Sequence, residues 1–428
     1  MSRPADPVEA YDRAIARIAR FNPGLNAVLE MREARAEAEA SARRVKAGEP
    51  RSPVDGLPVA VKANIALSGL AWHAGIAAYR DRIAQRDAAC VARLKAAGAV
   101  VFATLNMEEG ALGAVTDNPH FGRCFNPWGE TLTPGGSSGG SGAAVAAGLV
   151  PASLGTDTMG SVRIPAAYCG VAGHKPSRGA VPLEGVIALS RTLDHVGPLA
   201  RTAREAAEVF AVLAETGPAR ALDLSGVRIG RWRVEDHVAV DGEILAAFEA
   251  ALKAMERRGA RIVDISLARY GFGQSRRAGL LIAEREGAAI HAEALEADPE
   301  GFSQGFRKML AWGARQSPER HEAALLVLKA AAADAGAAFE ACDLLAAPTA
   351  CETAFPFGSA VPAGQADITA FADLAGIPAT SVPSALSSAG LPMAVQFMAP
   401  AGEDTRALGA AMAYEDLRGE FPVPPGYD

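Results

Sequence analysis

Cysteine is scarce and without pattern. Five thiols, Cys90, Cys124, Cys169, Cys342 and Cys351, are scattered through 428 residues with no C-x-x-C spacing. That excludes a zinc knuckle and a disulfide framework, and leaves reduced, buried thiols of a cytosolic protein as the expectation. Histidine is scarce as well: His73, His120, His174, His195, His237, His291 and His321 are dispersed, none pairs at metal-ligand spacing, and no metal site is expected. Nowhere does an apolar run reach the ~18 residues of a membrane span, and the first twenty residues are charged throughout with no apolar core of a signal peptide. Basic charge is not in excess either. The net charge of -7 gives a nucleic acid or an anionic membrane no positive field to meet. What remains is ordinary globular composition, half hydrophobic and 21% charged, and the chain is expected to be cytoplasmic.

The length suits two or three domains or one large α/β unit with insertions, and no low-complexity linker cuts it. Residues 7–48 carry apolar positions at helical spacing and end in Lys-Ala-Gly, which predicts two helices broken near Asn22-Pro23-Gly24. Gly56-Leu-Pro-Val-Ala-Val-Lys62 reads as a buried strand ending in a lysine, and for a lysine taken alone snorkelling from the strand end is the ordinary reading. Residues 87–104 and 245–266 each read as helix, glycine cap and strand, units that stack helices against a largely parallel sheet. Further on, 202–216 predicts an amphipathic helix, 227–232 a strand, 275–340 a run of helices and 403–417 a closing helix.

Between Thr133 and Ser177 stand three Gly/Ser clusters separated by small apolar residues, TPGGSSGGSGAAVAAGLVPASLGTDTMGSVRIPAAYCGVAGHKPS. Such a stretch is poor core material but allows the backbone to approach a ligand closely. A phosphate-binding P-loop would need a lysine after the glycines, and none follows. Gly135-Gly-Ser137-Ser-Gly139 satisfies G-x-S-x-G, but a nucleophile elbow follows an apolar strand, whereas Asn126–Pro134 precedes this serine. Its imaginable partners, Asp194 and His195, are adjacent on the chain and point in different directions. A second arrangement uses more of the residues: Ser161 as nucleophile, the backbone N–H groups of Thr158 to Ser161 facing an oxyanion, and Lys62 reached through Ser137 as base.

With these residues the stretch closely resembles the signature of the amidase signature family, hydrolases that cleave amides through a Ser–cis-Ser–Lys triad. GLPVAVKAN resembles the segment of the family's catalytic lysine. LNMEEGALGAVTDNPHFGRCFNPW, LDHVGPLART, DLAGIPATSVP and GLPMAVQF extend the likeness over most of the chain. The resemblance implies an α/β fold, a mixed, largely parallel twisted sheet with helices on both faces. It implies a single domain over residues 1–428, with an N-terminal helical flank at about 1–50 and a substrate-side helical insertion at about 270–340. It makes Lys62 the general base, Ser137 the bridging serine after a cis peptide and Ser161 the nucleophile; Thr158, Met159, Gly160, Gly136 and Ser138 become the oxyanion and substrate-binding positions. No metal or cofactor is required. Lowering a lysine from its ordinary value of about 10.4 to near neutrality costs about 4 kcal/mol, within the reach of burial.

Two departures stand out. Met159 occupies a place where the family most often has glycine, and either packs into the protein or narrows the acyl cavity. His174 replaces a usual hydrophobic residue and is expected to make a structural polar contact, while Asp157 and Arg163 are expected to orient the nucleophile loop. Within the insertion Arg276, Arg277, Glu284, Arg307 and Trp312 are candidate contacts, although an exposed helix face would look the same. The expected reaction is hydrolysis of a small soluble amide or carbamoyl compound, with no nucleic acid or membrane partner and a homodimer left open. The alternatives are an amidotransferase A-type subunit making ammonia from glutamine, for which the chain looks short, and a catalytically inactive amidase-like scaffold.

Overall fold

Fully buried strands build the frame, and their sequences show why. In the computed structural model, which describes residues 4–428, the runs PVAVK, VVFATL and ASLGTD are buried at every position, as strands covered on both faces must be. In chain order the strands are β1 (Val28–Met31), β2 (Pro58–Lys62), β3 (Val100–Leu105), β4 (Asp117–Asn118), β5 (Gly122–Arg123), β6 (Ala152–Asp157) and β7 (Ala172–Lys175). They continue with β8 (His195–Ala200), β9 (Arg228–Trp232), β10 (Arg261–Ile265), β11 (Leu344–Pro348), β12 (Ala379–Leu386) and β13 (Pro392–Met398). Eleven of them form one sheet in the order β1-β3-β2-β6-β8-β7-β12-β13-β11-β9-β10, and β4 pairs only with β5.

The sheet is mixed. Parallel ladders join β3, β2 and β6 on one side and β11, β9 and β10 on the other. The strands between them, β8, β7, β12 and β13, pair antiparallel with each other and with the neighbouring ladders. The helices are α1 (Pro7–Leu25), α2 (Arg35–Ala47), α3 (Ala89–Ala96), α4 (Gly139–Ala146), α5 (Arg163–Cys169), α6 (Ala203–Leu213) and α7 (Gly242–Glu256). After them come α8 (Phe272–Ile290), α9 (Ala292–Ala297), α10 (Gln304–Ala314), α11 (Pro318–Ala341), α12 (Ala370–Ala375) and α13 (Asp404–Arg418). One face packs α3, α6, α7 and α13 through Leu94, Phe210, Phe248 and Met412. The other carries α1, α4 and α5 near β2 and β3, and α8, α11 and α12 near β9 and β11. Helices α8 to α11 follow one another between β10 and β11.

The N-terminal segment departs from expectation. Helix α1 continues through Asn22-Pro23-Gly24 and ends where Asn26 turns left-handed at φ 50°. The Asn22 side chain accepts the N–H groups of Ala27 and Val28 at 2.9 and 2.8 Å, which turns the chain into β1, an edge strand antiparallel to β3. A four-residue edge strand has no periodicity to read, and only its partner defines it. Elsewhere the local signals hold: Thr202 and Glu205 form the capping box that opens α6.

Candidate active site

Lys62 ends β2 and Asp157 ends the adjacent parallel strand β6, so both stand at the carboxyl edge of the sheet, where α/β folds place their ligands. The loop before α4 carries Ser137, and the loop from β6 to α5 carries Ser161. The Gly136–Ser137 peptide is cis. The two loops are tied together, the Ser138 N–H donating to Ser161 O at 3.3 Å. Helix α4 packs closely beneath them because it is made of small residues; a Cβ on Gly140 would fall 2.4 Å from Asn106 O.

The Lys62 amine is wholly buried and surrounded by hydroxyls: Ser137 Oγ at 2.7 Å, Thr156 Oγ1 at 2.8 Å and Ser138 Oγ at 2.9 Å. Burial lowers it to about 7, against the opposing pull of Asp194, Asp157 and Glu108. Ser138 donates its own proton to Thr156 O at 3.1 Å and receives the Thr156 N–H at 3.2 Å, so toward Lys62 it can only accept. Asn64 Nδ2 donates to Thr156 Oγ1 at 3.2 Å. A neutral amine has two protons and one lone pair. With a proton directed to Ser138, the lone pair is available to the hydroxyl of Ser137 or of Thr156.

Ser161 opens on a cavity of about 150 Å³ that Thr158, Met159, Ile164, Leu189, Leu280 and Arg276 help to line. Among the described residues no protein acceptor takes the backbone N–H of Thr158, Met159 or Ser161. Gly160 differs from expectation. Its N–H donates to Asp157 Oδ1 at 2.5 Å, and the same carboxylate accepts the Val162 N–H at 3.1 Å, so this amide serves the loop and is not free for an oxyanion. The glycine is needed for space: at φ 130° a Cβ would sit 2.3 Å from Thr369 Oγ1. Thr369 in turn donates to Met159 O at 2.8 Å. Gly136 and Ser138 also depart from expectation, since both stand away from the cavity. Gly136 packs on the Ala114–Val115 backbone, and Ser138 faces Lys62 and β6.

Beneath the loop that carries Ser161 lies a buried charge cluster. Arg163 meets Asp157 through two nitrogens, each at 3.1 Å, Asp373 at 2.5 Å, and the Thr369 carbonyl at 2.9 Å. Burial alone would raise Asp157, but the Arg163 guanidinium outweighs it and holds this carboxyl well below the usual range. Asp373 goes the other way, raised by burial and by the Asp157 charge, because one guanidinium cannot compensate two buried carboxylates. Replacing Arg163 by Met is therefore expected to destabilise the fold by about 3–5 kcal/mol, read as a lower urea midpoint with the slope unchanged.

Two contributors take places that the sequence did not assign them. Thr156 reaches Lys62 only because β6 lies beside β2. Asp194 accepts from Thr158 Oγ1 at 2.7 Å and from the Leu189 N–H at 2.8 Å, and burial pushes it up to about 6. Its neighbour His195 points instead at Asp157 O and Asp373, so the two do not form a relay. His174 bridges Thr380 Oγ1 at 2.9 Å and Asp404 at 3.3 Å, a structural contact as expected. Of the insertion residues, Arg276 lines the cavity with its Nε 2.7 Å from Asp367 Oδ1; Arg277, Glu284 and Trp312 line a separate groove, and Arg307 pairs with Glu300. Among the described residues no cluster of His, Cys, Asp or Glu is arranged to hold a metal ion, and no helix is long and apolar enough to cross a membrane.

Known proteins share this sequence pattern and fold. Residues 9–408 match the family described as Amidase. The glutamyl-tRNA(Gln) amidotransferase A-subunit of Anaeromyxobacter sp. (strain K) is 36% identical over 97% of this chain and 94% of its own. A crystal structure of an amidase superposes with a TM-score of 0.89 at 33% identity, covering 96% of both chains. A protein from a vestigial complex, described as revealing the evolutionary origins of an s-triazine catabolic enzyme, superposes with a TM-score of 0.89 at 30% identity over 98% of this chain and 96% of its own.

Proposed function

The chain belongs to the amidase signature family and is an enzyme of amide C–N bonds, and from that premise we propose that it releases ammonia from the carboxamide of a small substrate through an acyl-enzyme on Ser161. The observation that carries this reading is the buried Lys62 amine, near 7 and 2.7 Å from Ser137 Oγ. In the proposed sequence Ser137 donates its hydrogen to the Lys62 lone pair and takes the proton of Ser161 as Ser161 Oγ attacks the carbonyl carbon. The carbonyl oxygen, now an oxyanion, accepts N–H groups of the Thr158–Ser161 loop; those of Thr158, Met159 and Ser161 have no other protein partner among the described residues. On collapse Ser137 returns a proton to the leaving nitrogen, Lys62 reprotonates Ser137, and ammonia departs. A water then repeats the cycle to free Ser161 and the carboxylate.

On the substrate, the relatives reverse the order expected from sequence. Free-standing hydrolysis of a small amide came first there, and ammonia production by an amidotransferase A-type subunit second. The curated relatives favour the second, and length does not oppose it, since the match spans 94% of the Anaeromyxobacter protein. Glutamine also suits the polar side of the cavity, where Arg276, held by Asp367 at 2.7 Å, offers a guanidinium to an α-carboxylate. In that role the chain would act with partner subunits, as its relatives' name implies. Free-standing hydrolysis stays as the second reading because the lining is otherwise largely apolar and the structural relatives include an amidase. A scaffold without activity would have no use for a desolvated lysine among three hydroxyls.

Ammonia released from L-glutamine, compared with butyramide and with asparagine, separates the two. We expect glutamine to exceed butyramide by at least tenfold in kcat/KM, and Arg276→Met to erase that preference. Faster turnover of butyramide would assign the chain to small-amide hydrolysis, and release from no amide at all would overturn the enzymatic assignment of Ser161.

A further inference from the structure

Met159 has its side chain on helix α8. A Cβ built on Gly279, in the buried face of that helix, would meet Met159 Sδ at 2.5 Å, with Leu374 Cδ2 next nearest beyond the methionine at 3.6 Å. The thioether therefore fills the hollow that the missing Cβ leaves. Glycine is a poor choice inside a helix of nineteen residues, where alanine would hold the backbone better. The methionine sulfur supplies the reason for it. The main chain of the same residue is held from the other side, Thr369 Oγ1 donating to Met159 O at 2.8 Å. Met159 also lines the cavity on which Ser161 opens, and Leu280, the residue after Gly279, lines it too.

We propose that Met159, seated in the Gly279 hollow, gauges the length of the acyl group that can be bound to Ser161. The proposal rests on the reading of Ser161 as nucleophile and adds a limit on its substrates. A cavity near 150 Å³ holds about as many carbon atoms as a benzene ring, so the acyl groups admitted are short. Filling the hollow leaves the methionine one direction to yield. Its backbone is pinned by Thr369, and only the flexible side chain can move, into the cavity it already borders. Shortening the methionine has the opposite effect and deepens the cavity toward α8. Gly279 is thus a positioning residue that acts through Met159, and the helical insertion enters substrate choice without touching the substrate at that point.

Alkyl fluorophosphonates of increasing chain length, ethyl to octyl, test this without knowledge of the natural amide, because they label an active serine directly. In the wild type the rate constant of Ser161 inactivation is expected to fall as the alkyl chain lengthens. Met159→Ala should relieve the long-chain penalty, measured relative to the ethyl reagent in the same variant, by about tenfold, the scale of a methylene or two in an apolar site. Gly279→Ala should deepen the penalty by about tenfold, and in the double variant its effect should vanish, since the side chain it displaces is gone. Rescue by the second substitution is something a merely destabilised helix would not show. Equal effects of each variant on every chain length, or a Gly279→Ala effect that persists beside Met159→Ala, would overturn the proposal. If no reagent labels the wild type at Ser161, the catalytic reading itself falls and the gauge with it.

Discussion

Ser161→Ala is expected to lower amide turnover by about 10⁴-fold or more, the scale seen when a catalytic nucleophile is removed from a hydrolase whose residues act as a unit. The loss should appear in kcat and in kcat/KM alike, because the hydroxyl contributes to the bond being made and little to ground-state binding. The fold should not notice. Ser161 stands at the wall of a cavity, its main chain is retained, and among the described residues no protein hydrogen bond depends on its Oγ. The thermal midpoint is therefore expected to remain near that of the wild type while fluorophosphonate labelling disappears. A variant that kept a hundredth of the rate would move the nucleophile elsewhere, with Ser137 the next hydroxyl in line.

Lys62→Met should cost about 10³-fold, within the 10²–10⁴ range of a general base. Unlike Ser161, Lys62 also holds three hydroxyls in place: Ser137, Ser138 and Thr156 would all face a thioether. The variant therefore disturbs the relay as well as removing the base. Its pH behaviour separates the two effects. Burial lowers Lys62 to about 7, and the neutral amine is the form that accepts a proton. Activity of the wild type should fall about tenfold per unit below pH 7 and level off by about pH 8. Asp194, raised to about 6, is one of the charges that hold Lys62 up, so its protonation below pH 6 favours the neutral amine and should make the limb shallower there. In Lys62→Met the limb through pH 7 should be lost. A wild-type profile flat from pH 6 to 9, with chemistry limiting turnover, would remove Lys62 from the role of base.

How much of this could be read from the chain depends on the range of each interaction. Buried strands announce themselves locally where they are apolar, as β2 and β3 are, and the closing helix expected at 403–417 falls at Asp404–Arg418. The resemblance singled out Lys62, Ser137 and Ser161, and the structure brings the first two to hydrogen-bond distance and sets the third on the cavity. By itself the sequence determined the family, the identities of the three candidate catalytic residues and the fact that a methionine stands two residues before Ser161. The antiparallel centre of the sheet, the edge strand β1, the hydroxyl of Thr156 on Lys62, the withdrawal of the Gly160 N–H and the seat of Met159 on Gly279 were decided only by the tertiary structure. Each is a contact between segments that composition and periodicity treat as independent: Met159 and Gly279 lie on different elements, and Arg163 finds Asp373 from 210 positions away. The lowered pKa of Lys62 belongs with them, since a lysine becomes a base near neutrality only when the strands on either side have closed water away from it.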